Sequence, residues 1–375
     1  MKQENTRVLV QRFPWHDTVG EPIGRLAPMG KQRRSWRPIL WGWLVCALML
    51  GACGSRSDTI VSIALHPTKP HILYVATDEA VYKTRDGGRT WIRLDSELKR
   101  TRVISLAIHP KFPATIFAGT MGDGTYKSPD GGRTWHHFKK GIQKSTISAI
   151  VNQIVFDPGA TDLVYAATTV GVFRSTDGGR TWQERTNGMS EVNFVVCLAI
   201  DPARPYILYA GTTGGVYRTR NATERWEKVT TGMVAFDAKM ASMAIGVNVI
   251  VIDPVDTDVV YAGTTQGLYR SSNQGDQWTW VKSLDDRYIS GMQIDPTDPK
   301  ILYVATSQGV YKSVDGGQTW RSMSAGLEAT SIRTIQMSPL DPLTLYVGTN
   351  GGGLYRTTDG GETWERLPLI PASEE

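Results

Sequence analysis

The sequence predicts an all-β fold, a seven-bladed β-propeller of four-stranded blades, from three observations. A nine-residue motif closing in tryptophan occurs seven times, an apolar run leading into a Pro turn occurs seven times in the same register, and Gly and Trp are abundant, at 38 and 12 residues. Fixed-period self-similarity marks a repeat architecture, and Gly beside a recurring aromatic marks many tight turns around one packed side chain. A composition 41% hydrophobic and 21% charged excludes wholesale disorder and a polytopic membrane protein, and three cysteines exclude a disulfide framework.

In chain order, residues 1–52 read as an N-terminal extension and a leader. Lys31, Arg33, Arg34 and Arg37 precede an uncharged stretch, 39–52, shorter than the about 20 apolar residues that a spanning helix needs. A basic run, a short apolar run and then small residues are the layout of a secretory signal peptide, and Met29 would start one of ordinary length. Arg33-Arg34 with Trp36 also fits a twin-arginine signal, although basic leaders hold such pairs in any case. Leu50-Gly51-Ala52-Cys53 resembles the lipobox of bacterial lipoproteins. That resemblance implies a lipid on Cys53, which becomes the first residue of the mature chain. The alternative is an ordinary signal peptide or an uncleaved signal anchor, with Cys53 an incidental thiol. Residues 53–59 then form a tether, and acyl chains there hold a soluble domain on a membrane surface without spanning it.

Residues 60–370 carry the propeller and 371–375 a short tail. Motif copies stand at 83–91, 127–135, 174–182, 312–320 and 356–364, with weaker copies at 218–226 and 270–278. Their tryptophans, Trp91, Trp135, Trp182, Trp226, Trp278, Trp320 and Trp364, recur about every 45 residues, the period of propeller blades. Within each unit four short strands are expected in order: an alternating apolar run ending at a Pro turn, a run such as 72–77, a third such as 81–84, and a last strand opened by the tryptophan. Radial repetition lets such a chain exceed the size of one ordinary core, because each blade packs only on its neighbours.

The motif Ser/Thr-X-Asp-Gly-Gly-X-Thr-Trp reads as the turn between the third and fourth strands. Asp86, Asp130, Asp177, Asp315 and Asp359 accept hydrogen bonds from amides of the turn, the glycines supply positive φ, and the indole packs between blades. These roles are structural. Asn221 and Asn273 replace the Asp in blades four and five, where looser turns are expected. The motif resembles the Asp-box of bacterial neuraminidase repeats. His66 and His109 stand where later blades carry Asp157, Asp201, Asp253, Asp295 and Ser338, so they read as turn residues and not as metal ligands. His136 and His137, adjacent on an edge strand, point to opposite faces. No metal and no cofactor is expected, and Cys197, in an apolar inner strand, reads as a buried thiol.

Connections in such blades alternate between two faces. The Pro turns and aspartate turns share a nearly uniform one, while the Thr-X-X-Gly turns and inter-blade connections share a variable one, where a binding site is expected. There, Lys99, Arg100 and Arg102 with Lys139, Lys140 and Lys144 form either a solvated rim or a docking patch for an acidic protein surface or lipid headgroups. The long connection after Trp226 carries Met233, Phe236, Met240 and Met243, an adaptable binding loop or an apolar plug over the channel. Asp285, Asp286 and Glu328 lie on the same face, and paired carboxylates are the equipment of glycoside hydrolysis.

With seven such blades, a lipobox and no second domain, residues 60 to about 367 are similar to the photosystem II stability and assembly factor family. The resemblance implies a lipid-anchored, non-enzymatic protein-binding scaffold or assembly factor, exported to the periplasmic or extracellular side of a bacterial membrane. The rival is a sialidase-like or xyloglucanase-like glycoside hydrolase, or a carbohydrate-binding envelope protein, since those carry the same turns. The Arg-Ile-Pro element of sialidases is missing, two-propeller glycosidases need a longer chain, and sortilin-type receptors have more blades and a cysteine-rich appendage. No catalytic residue is therefore carried over. The first 52 residues hold eight basic and three acidic side chains, the whole of the net +5, so a nominal pI near 9.0 does not point to nucleic acid. Beyond the leader, a basic 58–146 and an acidic 147–375 suit oriented docking to a protein partner.

Overall fold

A computed structural model describes residues 59–369 apart from 95–96, 99–100, 145–146, 190–193, 234–244 and 285–286. Cys53, where a lipid anchor is expected, and residues 1–52, expected to form a leader, lie outside the described residues. Seven four-stranded antiparallel sheets follow one another, each in strictly sequential strand order. The inner strands are Ile60–Leu65, Val103–Ile108, Val151–Phe156, Val195–Ile200, Val247–Ile252, Ile289–Ile294 and Ile332–Met337. A seven-bladed propeller results, as expected.

Burial explains the strand sequences. Second strands such as Leu73–Thr77 (LYVAT) and Val260–Thr264 (VYAGT) are buried at every position, because each blade has a neighbour on both faces. Two-sided burial removes the apolar–polar alternation of a sheet with one wet face, and β-branched and aromatic residues fill it. Outer strands are two or three residues long and exposed, as in Gln183–Glu184. Short charged edges resist pairing with other chains.

Every inner strand carries a register shift after its first residue, as between Ile60 and Ser62 or between Ile332 and Thr334. The bulged residues are Val61, Ile104, Asn152, Val196, Asn248, Ser290 and Arg333. One extra residue bends the strand and re-aims a side chain, and all seven line the central channel.

The ring closes by packing and not by a borrowed strand. Ile60, Leu73, Val75 and Trp91 of blade one share a core with Tyr346, Leu354 and Leu367 of blade seven. The Arg356 guanidinium donates to the Gly87 carbonyl across that seam at 2.9 Å.

Candidate functional site

The repeated turn is a compact hydrogen-bonded unit. Asp86 Oδ1 accepts from the Arg89 and Thr90 amides at 3.0 Å each, and its Oδ2 accepts from the Thr90 hydroxyl at 2.6 Å. The Thr84 hydroxyl donates to Asp86 at 2.7 Å and accepts from the Gly88 amide at 2.9 Å. Gly87 and Gly88 take φ of 74° and 98°, which L side chains rarely adopt. Asp130, Asp177, Asp315 and Asp359 repeat the arrangement. The Thr134 amide, in first place, holds the Asp130 carboxyl down to about 2, desolvation opposing it and the Thr134 and Ser128 hydroxyls assisting.

Blades four and five keep the turn with fewer bonds. Asn221 accepts from the Thr219 hydroxyl and the Arg225 amide, and Asn273 from the Ser271 hydroxyl and the Gln277 amide. Ala222, Thr223 and Gln274 take positive φ without being glycine, so these turns store strain. A heavier ionic clamp stands beside them: buried Arg218 pairs with Glu227 and Asp276 and donates to the Gln274 carbonyl.

The residue that opens each motif has a role the sequence pattern did not disclose. Lys83 reaches the Gly131 carbonyl of the next blade's turn at 2.9 Å, Lys127 that of Gly178 at 2.9 Å, Arg174 that of Ala222 at 2.9 Å, and Lys312 that of Gly360 at 3.2 Å. Tyr261 performs this at Gly316, with Arg270 lying over its ring. Each turn is therefore latched to the preceding blade.

The tryptophans also pack on the preceding blade, Trp135 against Tyr74 and Val81, and Trp364 against Tyr303 and Val310. Trp320 is only partly buried, and its indole donates to Gly317 within its own turn. Docking there requires glycine. A Cβ on Gly188 would stand 2.1 Å from the Trp226 carbonyl oxygen, and one on Gly326 2.3 Å from that of Trp364.

The uniform face is assembled as expected, since the Gly87 amide donates to His71 and the Gly178 amide to Asp162, joining aspartate turns to Pro turns. His109 Nδ1 accepts from the Lys111 and Phe112 amides, as Asp157 Oδ1 does from Gly159 and Ala160. Burial, then Lys127, pushes the His109 imidazole below its ordinary value, which keeps the acceptor unprotonated. His137 stacks on Tyr126 with centroids 4.6 Å apart, beside Asp123. Among the described residues no His, Cys, Asp or Glu cluster fits a metal. Cys197 is buried, and desolvation pushes its thiol up to about 12.

On the variable face, Lys139 and Lys140 are exposed, and exposed Arg102 pairs with Asp78. Lys144 lies in a short hairpin of Gln143–Lys144 with Ile147–Ser148, while Lys99 and Arg100 fall outside the described residues. Asp123 holds the Thr101 and Tyr126 hydroxyls on this face, so acids interleave the bases. Met233 is half-buried, packed against the core between blades four and five. Phe236, Met240, Met243, Asp285 and Asp286 lie outside the described residues, and Glu328 is exposed.

The central channel holds about 580 Å³. Its described lining is apolar, amide and hydroxyl side chains with one charged residue, Arg333, and no carboxylate among them.

These features define a seven-bladed propeller with latched aspartate turns and an acid-free channel among its described residues. The family model for sortilin, neurotensin receptor 3 (Sortilin-Vps10) matches residues 79–197 and 266–369, and the chain belongs to that family. The expected separation from sortilin-type receptors is thereby corrected: the match rests on blade sequence, whereas blade number, seven here, distinguished them only in architecture. No curated protein sequence matches the chain. Among solved structures, it is similar to a GH74 xyloglucanase from Xanthomonas campestris, with TM-score 0.63 and 16% identity over 82% of this chain and 54% of that one. An ancestral GH74 enzyme gives 0.64 and 19% over 82% and 46%, so the chain spans about half the length of these enzymes. YCF48 bound to a D1 peptide gives 0.59 and 16% over 80% of this chain and 93% of that one. At such identities the likeness shows the fold.

Proposed function

We propose that the protein is a lipid-anchored docking scaffold of the bacterial cell envelope, related in role to the photosystem II assembly factors. The supporting observation is the repeated use of the motif's opening base and closing tryptophan, in blades such as one, two and seven, to latch and close the ring, which leaves the variable face and channel for recognition. The match to YCF48 spans nearly all of that structure, in which YCF48 is bound to a D1 peptide. In this reading the aspartate turns are the Asp-boxes of bacterial neuraminidase repeats, Cys53 carries the lipid, and the partner is a protein of a membrane complex.

The test is crosslinking and affinity recovery of the full chain from membranes, beside a Lys139→Glu/Lys140→Glu variant. One partner recovered by the natural chain and lost by the variant supports the reading. Recovery of no protein, or equal recovery by both, refutes it. Cys53→Ser should move the chain into the soluble fraction, and retention on the membrane refutes the anchor. The GH74 likeness favours a second reading, binding or cleavage of a β-glucan, and turnover of chromogenic glycosides by the purified propeller would establish it over the scaffold.

A further inference from the structure

The seven bulged residues form one ring just inside the variable-face mouth of the channel, and four of them are polar. Three follow a single rule. Asn152 Nδ2 donates to the Val195 carbonyl at 2.7 Å, Asn248 Nδ2 to Ile289 at 2.8 Å, and the Ser290 hydroxyl to Ile332 at 2.7 Å. Each ties its inner strand to the first inner-strand residue of the next blade. Arg333 is the exception. The equivalent carbonyl would be Ile60 of blade one, yet Arg333 makes no hydrogen bond or ion pair among the described residues, and it is exposed.

The wall facing it has another character. In a closed ring of seven, blades three and four lie farthest from blade seven. They present Ile150, Phe194 and Val196, with Met121 of blade two bridged to Ile150. Phe194 and Met121 are 43% and 48% exposed despite their size. A guanidinium with no partner among the described residues on one side and a partly exposed apolar wall on the other lie in a space of about 580 Å³. That is the size of small-molecule sites, which span about 300–1,000 Å³, and the apolar side chains here are gathered on the wall opposite Arg333 among hydroxyl and amide groups.

From this juxtaposition we propose that the channel mouth binds a small monocarboxylate carrying an apolar body. The Arg333 fork receives the carboxylate and the Met121–Ile150–Phe194–Val196 wall receives the body. An arginine with no second cation among the described lining residues matches a planar monoanion, which it holds through two parallel N–H···O bonds. The absence of any carboxylate among the described lining residues leaves the bound anion unopposed. The same absence leaves no acid–base pair there, so the site retains its ligand without turning it over. This assignment is independent of the docking reading, which concerns a protein on the outer surface of the face.

The experiment is calorimetric titration of the purified propeller with octanoate, with octanamide and acetate as probes lacking the charge or the body. Saturable one-to-one octanoate binding with a dissociation constant of about 1 mM or tighter is expected. Arg333→Gln should weaken it at least about tenfold without changing the melting temperature, and Arg333→Lys, which keeps charge but not the fork, should fall between. Octanamide and acetate should each bind at least about tenfold more weakly than octanoate. Octanoate binding that is unsaturable, unaffected by Arg333→Gln, or equalled by acetate would overturn the assignment.

Discussion

Gly188→Ala tests whether inter-blade docking, and not the individual blade, holds the disc together. Gly188 has φ 93°, and its Cβ would stand 2.1 Å from the Trp226 carbonyl oxygen and 3.2 Å from the Trp226 amide nitrogen. Neither side yields easily. The Trp226 amide donates to the Asn187 carbonyl at 2.8 Å, and its indole donates to the Arg185 carbonyl at 2.7 Å. Left-handed backbone costs an L residue about 1–2 kcal/mol. Displacing the strand far enough to relieve the overlap weakens both hydrogen bonds, at about 0.5–1.5 kcal/mol each. The total is about 2–5 kcal/mol. Gly351 is the matched control, because its φ is 95° and nothing lies within 4 Å of its Cβ, so Gly351→Ala carries the backbone penalty alone. Urea unfolding followed by tryptophan fluorescence, with hydrogen exchange at the Trp226 amide, measures both variants. Equal destabilisation by the two substitutions would refute the view that the glycine is required by the neighbouring tryptophan.

His109→Asp should change the pH dependence of stability. Burial lowers the His109 pKa in the folded state, so its contribution is complete above the unfolded value of about 6.5 and is lost as pH falls below it. An aspartate, the residue at this turn in blades three to six, stays ionised well below that, so the variant should gain stability over the natural chain at pH 5 relative to pH 7.5. A parallel pH profile of the two melting temperatures would count against it. Cys197, with its thiol pushed up to about 12 inside an inner strand, should resist Ellman's reagent in the native state and react fully on unfolding. Native-state labelling at the rate of free cysteine would contradict its burial.

What the sequence reveals depends on how far apart the interacting residues lie. Strand positions and turn chemistry were legible because their partners sit inside one repeat: Asp86, Thr84 and Thr90 bond within a few residues. The role of Lys83 was not, since its carbonyl partner belongs to the next copy of the same motif. Gly188 reads in sequence as an ordinary turn glycine, and only the approach of Trp226 shows why it must be one. The channel was hidden for a different reason. A bulge breaks the alternation that assigns inner-strand residues to a face, so Arg333 looks like any polar residue flanked by Ile332 and Thr334. The partial exposure of Trp320 has no precedent in its motif, which is intact, and the structure supplies no reason for it beyond the bond to Gly317.

Repetition also indicates where selection for something other than closure would act. A residue that performs the same bond in several blades is accounted for by the ring: Asn152, Asn248 and Ser290 at the bulge, or Lys83, Lys127 and Arg174 at the latch. A blade that departs from its neighbours without losing its fold must have its difference explained elsewhere. Blade four departs at Asn221 and compensates with the Arg218 clamp, so that difference stays within the stability of the ring. Blade seven departs at Arg333 and compensates with nothing among the described residues, although Asn or Ser at the same position ties strands together in other blades. Placing an uncompensated guanidinium in the channel gives up an inter-blade hydrogen bond of about 0.5–1.5 kcal/mol. The apolar side chains of blades two to four across the channel are the counterpart that makes this position a site, and not merely a gap in the pattern.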